Sequence, residues 1–254
     1  MVVPRPSRCA GLCAVVVIAF ALAPAAAQSR VGCTRAEATK TAVGHPTAAL
    51  AWRARIVRPA PVHARLRGHG RRPVRTVRPR NASWLMVTRA AKDARGRCWV
   101  RVRLPWRPSS AAGWVNARRV QLRPTRWRIV ISRTKRSLTL LRGGRRVLRS
   151  RVVIGAPSTP TPGGVFAVLW VQPSPARSFL GRWVVGLTAH SRVLDTFAGG
   201  DGRVAIHGRG GASLLDPLGS ARSHGCVRVS NRVIDRLVRR VGADELLGVR
   251  VRIR

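Results

Sequence analysis

The chain is 254 residues long and carries 49 Lys and Arg against 8 Asp and Glu, a formal net charge of +41 in which Lys40, Lys92 and Lys135 are the only lysines. So few carboxylates, with no close pair in any motif, argue against chemistry built on two acids. The charge is spread over both halves, without a helix-turn-helix, finger or RNA-binding pattern, so no specific nucleic-acid partner is expected.

Residues 1–27 hold Arg5 and Arg8, an apolar run from Ala14 to Ala23, and Ala25-Ala26-Ala27 ahead of Gln28. That is the layout of a signal peptide with a small-residue cleavage site, and the apolar run is short for a membrane span. The mature chain is therefore expected to be exported and extracytoplasmic. There the polyanions within reach are an anionic cell wall or membrane surface, and compositional bias is an equal alternative source of the arginines. Cys9 and Cys13 leave with the leader, so Cys33, Cys98 and Cys226 remain and a dense disulfide scaffold is excluded. Cys33 and Cys98 either pair, or Cys98 is buried beside Trp99.

Residues 28–70 read as a disordered linker. They are rich in Ala, Thr, Arg and Pro, carry no sustained period, and are interrupted by Gly68-His69-Gly70. His63 and His69 lie among arginines and are expected to be solvated. Residues 71–124 read as a small β domain. Trp84-Leu85-Met86-Val87 is a short strand, Cys98 to Leu104 alternates apolar and polar residues, Gly113-Trp114-Val115 begins a third strand and Val120-Gln121-Leu122 a fourth. Short strands at this spacing suggest a small closed sheet. Trp99-Val100-Arg101-Val102 and Gly113-Trp114-Val115 resemble the bacterial SH3-like domain. That resemblance leaves open whether the domain targets the wall, places the active site, or only packs.

Residues 127–254 read as a second, mainly β domain with an antiparallel pattern. Ile129 and Ile131 alternate with polar neighbours, Leu138 and Leu140 follow, and Arg142-Gly143-Gly144-Arg145 suits a hairpin turn before Val147 to Ile154. The Pro- and Gly-rich stretch 155–164 is neither strand nor helix. Val165 to Trp170 and Trp183 to Leu187 are further strands flanking a loop over 171–182. Asn231 is expected to N-cap a helix whose apolar face is Val233, Ile234, Leu237, Val238 and Val241. Gly242 ends it, and Val249, Val251 and Ile253 form a terminal strand.

Chemistry concentrates between Val204 and Asn231, where Ile206-His207-Gly208 precedes Ser223-His224-Gly225-Cys226-Val227-Arg228. A cysteine becomes a useful nucleophile where an imidazole or backbone N–H groups stabilise its thiolate, and the gap lets a loop leave one strand and return beside it. Gly225 permits close approach of a substrate and Arg228 adds positive charge. Cys226, His224 and His207 would make three metal ligands, but no C-x-x-C or H-E-x-x-H pattern supports a metal, so neither metal nor cofactor is expected. Asp201 and Asp216 are read as turn residues beside Gly200, Gly202 and Pro217.

These residues resemble the L,D-transpeptidases with the YkuD-type catalytic domain, whose signature is Ile-His-Gly followed by Ser-His-Gly-Cys, an apolar residue and Arg. Thr161-Pro162-Gly163-Gly164-Val165-Phe166 is similar to that family's Thr-Pro-x-Gly-x-Phe element. The resemblance covers Trp127 to Arg254. Together with the SH3-like resemblance before it, it implies an overall architecture of a small SH3-like β barrel followed by a YkuD-type β-rich catalytic domain with one helix after the catalytic cysteine. It also implies peptidoglycan stem peptides as substrate, cleaved with loss of the terminal D-alanine and passed through a Cys226 thioester to an acceptor amine. His207 is the expected base and Gly208 supplies the carbonyl that orients it. His224 is expected to face away from the sulfur and, like Ser223, Gly225 and Arg228, to meet substrate or the oxyanion, while the 171–182 loop covers the site. Hydrolysis, as an L,D-carboxypeptidase or other thiol peptidase, stays open beside transfer. So does a non-catalytic wall-binding module, although a binder has no use for a reactive thiol.

Overall fold

The computed structural model describes residues 45–66, 72–79, 83–175 and 177–254. The expected leader, its cleavage site, Cys9, Cys13, Cys33 and His69 lie outside them. The described chain is mainly β, with 47% of residues in strands and 12% helical.

The N-terminal unit contains β1 (Ala51–Ile56), β2 (Ala60–Val62), β3 (Arg75–Val77), β4 (Leu85–Lys92), β5 (Cys98–Arg103), β6 (Ala112–Asn116) and β7 (Val120–Thr125). Five of these form a sheet in the order β6-β5-β4-β1-β7, and β2 and β3 pair separately. Two expectations are corrected. The sheet does not close, because β6 and β7 end its order; β6 instead meets β2 through reciprocal hydrogen bonds between His63 and Trp114. His63 is thus half-buried and packs edge-on against Trp99 at 5.6 Å, not solvated among arginines. The second correction concerns residues 51–62, read as linker: they form β1 and β2, and β1 lies between β4 and β7.

The letters of β1 do alternate, Trp52-Arg53-Ala54-Arg55-Ile56, a signal that the linker reading of this stretch passes over. Trp52, Ala54 and Ile56 are buried, and so, at 1% exposure, is Arg53. Its guanidinium leaves the N-terminal unit altogether. Nη1 donates to the carbonyls of Asp244 and Leu247 at 2.9 and 3.1 Å, Nη2 pairs with Glu245 at 2.7 Å, and Cζ lies 4.9 Å from the centre of the Trp84 ring.

The C-terminal unit begins with β8 (Trp127–Ser132), β9 (Ser137–Arg142), β10 (Arg145–Arg151) and β11 (Ile154–Gly155). It continues through β12 (Gly164–Pro173), β13 (Trp183–His190), β14 (Arg203–His207), β15 (Ala221–Ser223) and β16 (Val227–Arg228). It ends with α1 (Asn231–Val241), the one-turn α2 (Ala243–Leu246) and β17 (Arg250–Ile253). Its main sheet runs β10-β9-β8-β17-β12-β13-β14-β16. The expected antiparallel pattern holds for most pairs, but β17 lies parallel to β8, β16 parallel to β14, and β11 parallel to β15. The chain reaches β17 by crossing over through α1, and a parallel neighbour needs such a crossover.

Helix α1 buries Ile234, Leu237, Val238 and Val241, at the i, i+3, i+4, i+7 spacing of a single stripe. Fully burying one such side chain contributes about 1.5–3 kcal/mol, so this stripe is the main reason the helix stands against the sheet. Its N-cap is Ser230, whose hydroxyl accepts from the Val233 N–H, and not Asn231 as expected. Asn231 is thereby released for the site.

Candidate active site

The site is built where β14 and β16 run side by side, Ile206 opposite Val227 and His207 opposite Arg228. Side chains two apart on a strand share a face, so this register turns Ala205, His207, Cys226 and Arg228 the same way. The Ala205 N–H donates to Cys226 Sγ at 3.4 Å. His207, 1% exposed, has Nδ1 2.8 Å from the Gly208 carbonyl, which can only accept; the ring proton is therefore on Nδ1 and Nε2 keeps its lone pair.

The turn carrying the cysteine is clamped from beneath. Gly225 sits at φ +115°, a conformation L side chains rarely adopt. The Thr161 hydroxyl donates to the Gly225 carbonyl at 2.8 Å and accepts from the Gly155 N–H at 2.8 Å, while the Ser223 carbonyl accepts from the Ala156 N–H and the Thr159 hydroxyl. Ser223 Oγ donates to the Cys226 carbonyl at 2.6 Å and accepts from the Gly225 N–H at 3.1 Å. Ser223 is 1% exposed and its hydroxyl closes the turn, so the structure does not offer it to a substrate as expected.

The His207 loop is held by Asn231. Its Oδ1 accepts from the Arg209 and Arg182 N–H groups at 3.1 and 3.3 Å, and its Nδ2 donates to the Arg209 carbonyl at 2.8 Å. A Cβ on Gly208 would stand 2.1 Å from Asn231 Oδ1, so only glycine lets this carboxamide approach the loop so closely.

Arg228, at 3% exposure, is likewise not free to meet a ligand in the open. It is ion-paired with Asp216, its Cζ lies 4.7 Å from the centre of the Phe179 ring, and Phe179 in turn lies 6.3 Å from the His207 ring. Asp216, read as a turn residue, is thus the counter-ion of the site's arginine. His224 is exposed and stacks on Phe197 with ring centroids 5.0 Å apart. Gly225 at φ +115° stands between His224 and Cys226, so strand alternation does not decide which way their side chains point.

Burial pushes the Cys226 thiol above its usual value, with the Ala205 N–H and Arg228 pulling it down. Burial also lowers His207 to about 4; Arg228 adds to that, and backbone groups at Gly208 and Leu180 oppose it. Both shifts favour the uncharged forms, thiol and neutral imidazole. Cys98 has no disulfide partner among the described residues, which do not include Cys33, and no group of three or more His, Cys, Asp or Glu is gathered among them.

Thr159, Thr161, Asn231, Asp216, Phe179 and Phe197 were not read from the sequence as site residues. Their partners lie far along the chain, and only Thr161 carried a local signal, its Thr-Pro-x-Gly-x-Phe setting.

The profile of the YkuD family, the L,D-transpeptidase catalytic domain, matches residues 126–253. Among solved structures, an L,D-transpeptidase of Enterococcus faecium is similar at 22% identity over 50% of this chain and 49% of its own, with a TM-score of 0.37. One of Mycobacterium tuberculosis is 16% identical over 59% of this chain and 74% of its own, TM-score 0.38. The helical cell shape determining protein of Campylobacter jejuni is 17% identical over 50% of this chain and 46% of its own, TM-score 0.37. The chain thus spans about half the length of several of the solved structures it matches. No curated protein matches it.

Proposed function

Because the chain belongs to the YkuD family of L,D-transpeptidase catalytic domains, we propose that it takes a peptidoglycan stem peptide as acyl donor, holds it as a thioester on Cys226 and transfers it to an acceptor amine. The observation that carries this reading is the shared face of β14 and β16, with Cys226 Sγ on the Ala205 N–H and a buried, neutral His207 whose Nδ1 proton is bound by the Gly208 carbonyl.

In the proposed reaction Sγ attacks the carbonyl carbon of the scissile amide as its proton passes to His207 Nε2. The oxygen of the tetrahedral intermediate takes a hydrogen bond from the Cys226 N–H, because the Gly225 N–H is already held by Ser223. Collapse breaks the C–N bond, and the departing amine of the terminal D-amino acid takes the proton back from His207. An acceptor amine then attacks the thioester, gives its proton to His207 and restores the thiol. Arg228, neutralised by Asp216, shapes the floor beneath Phe179 and His207. His224, exposed beside the cysteine turn, lines the approach.

Action on wall peptide puts the enzyme outside the cytoplasm, against an anionic wall or membrane surface that its arginines would attract. No helix among the described residues is long and apolar enough to cross a membrane. The N-terminal unit serves in this reading to place the catalytic half.

Incubation with isolated wall and separation of the digested muropeptides tests the proposal. New cross-linked dimers are expected, and Cys226→Ala should abolish them while the far-ultraviolet spectrum stays unchanged. Trimmed monomers without dimers would make the enzyme a carboxypeptidase, and dimers from the Cys226→Ala protein would end the reading.

A further inference from the structure

The segment 191–202, between β13 and β14, reaches the site from the side of the N-terminal unit. Ser191 N–H donates to the Gly202 carbonyl at its base, and Phe197 and Gly200 exchange hydrogen bonds at its tip. It has no apolar core of its own: Val193 and Phe197 are 55% and 45% exposed. What gathers it is Arg107, from the connection between β5 and β6. Nη1 donates to the Ser191 carbonyl at 3.1 Å, and Nη2 faces the carbonyls of Leu194, Asp195 and Asp201 at 3.1, 3.3 and 3.0 Å.

Two further ties lie beside this one. Ser109 Oγ accepts from the His190 N–H at 2.8 Å, and Arg203 donates to the Pro105 carbonyl at 2.9 Å. Gly202 makes the gathering possible. It sits at φ +65°, and a Cβ there would stand 2.2 Å from the Leu194 oxygen and 3.0 Å from Arg107 Nη2. A planar fork with several donors suits converging carbonyls in a way that a single ammonium does not. The tip held in this manner carries Phe197, stacked on His224 two positions before Cys226.

We propose that Arg107 is a positioning residue for acyl transfer: by drawing together the carbonyls of 191–202 it holds Phe197 on His224, so that the N-terminal unit completes the wall along which the acyl donor lies. The turnover part of this proposal rests on the function proposed above; the contact between Phe197 and His224 does not. A stack of two exposed rings is too weak to order the segment alone, and without the guanidinium its carbonyls would turn to water.

The test compares Arg107→Ala, Arg107→Lys and Phe197→Ala with the wild type, using the full chain. One readout is the ring-proton shift of His224, which a stacked phenyl ring displaces; the other is KM and kcat with a stem-peptide donor. Arg107→Ala should lose the displaced shift and raise KM roughly tenfold with kcat little changed, the pattern of lost donor binding. Phe197→Ala should do the same, and Arg107→Lys should restore part of both effects. An unchanged His224 shift in Arg107→Ala would overturn the proposal, as would a lowered melting temperature with KM intact. If Arg107→Ala fails to fold, Arg107→Lys decides by the same criteria. If the wild type does not turn over the donor, the proposed function falls while the His224 shift still decides whether Arg107 sets the contact.

Discussion

Burial favours the uncharged forms of Cys226 and His207, which suits a proposed attack in which the sulfur loses its proton to the imidazole. His207 is suited to that step because its Nε2 lone pair stays available down to acid pH, and the same burial ties the fold to pH. With a folded pKa of about 4 against 6.5 for an ordinary histidine, the unfolded chain binds more protons between those values. Stability therefore rises with pH through that window, is fully present above it, and is lost as pH falls through about 4. The shift corresponds to on the order of 3 kcal/mol. Urea unfolding at pH 7.5 and pH 4.5 should show the loss in the wild type and a smaller one in His207→Gln. His190, which burial also lowers, leaves a residual slope. An equal loss in both proteins would mean that His207 does not titrate as buried. The residues of this pair were legible because each sits in a contiguous, chemically unusual string. Their resting charge was not, since it depends on burial that neighbouring letters do not report.

Among the elements, most strands with alternation, an apolar run or a flanking turn stood out from the sequence: β4 to β10, β12, β13 and β17. β1 and β2, read as linker, did not, and neither did side chains whose partners are remote. Asn231 and Ser230 show the difference, because either can cap a helix, and only the position of Gly208, twenty-odd residues earlier, shows why the serine caps and the asparagine holds the loop. Thr161 is the clearest case of an element acting on the site from a distance. Its hydroxyl joins the Gly155 N–H to the Gly225 carbonyl at 1% exposure, so Thr161→Val leaves two buried backbone groups without that partner. An unsatisfied buried group costs about 1–3 kcal/mol, and the turn carrying Cys226 is the part free to give way. The variant should unfold at lower denaturant, and Cys226 should be modified by iodoacetamide faster at neutral pH as the turn loosens and the thiol is rehydrated. Unchanged modification with lower stability would mean that Thr161 supports the sheet and not the turn.

For the molecule as a whole, the arginines are not only a field around it. Arg53, Arg107 and Arg203 each cross between the two units and end on backbone carbonyls, so some of the excess that composition alone leaves unexplained is the mortar of this junction. Arg53 is the deepest of them. Its neighbours at α2 include the Leu247 carbonyl, just past the helix end, and the Asp244 carbonyl, which also accepts from the Leu247 N–H. Glu245, partly exposed, rehydrates readily when the pair is broken, so the main losses in Arg53→Ala are the charge-assisted bonds to the carbonyls and the packing on Trp84. Losing them should cost about 2 kcal/mol. Because the contact joins the units and does not sit within one core, the cost should fall on their coupling. Calorimetry of the wild type should give one cooperative transition, and Arg53→Ala should split it, with the N-terminal unit unfolding first. Arg53→Lys keeps the charge without the fork and should fall between the two. A single transition merely shifted downward in Arg53→Ala would show that the two sheets unfold together through their remaining contacts, and that Arg53 stabilises the molecule without joining its halves.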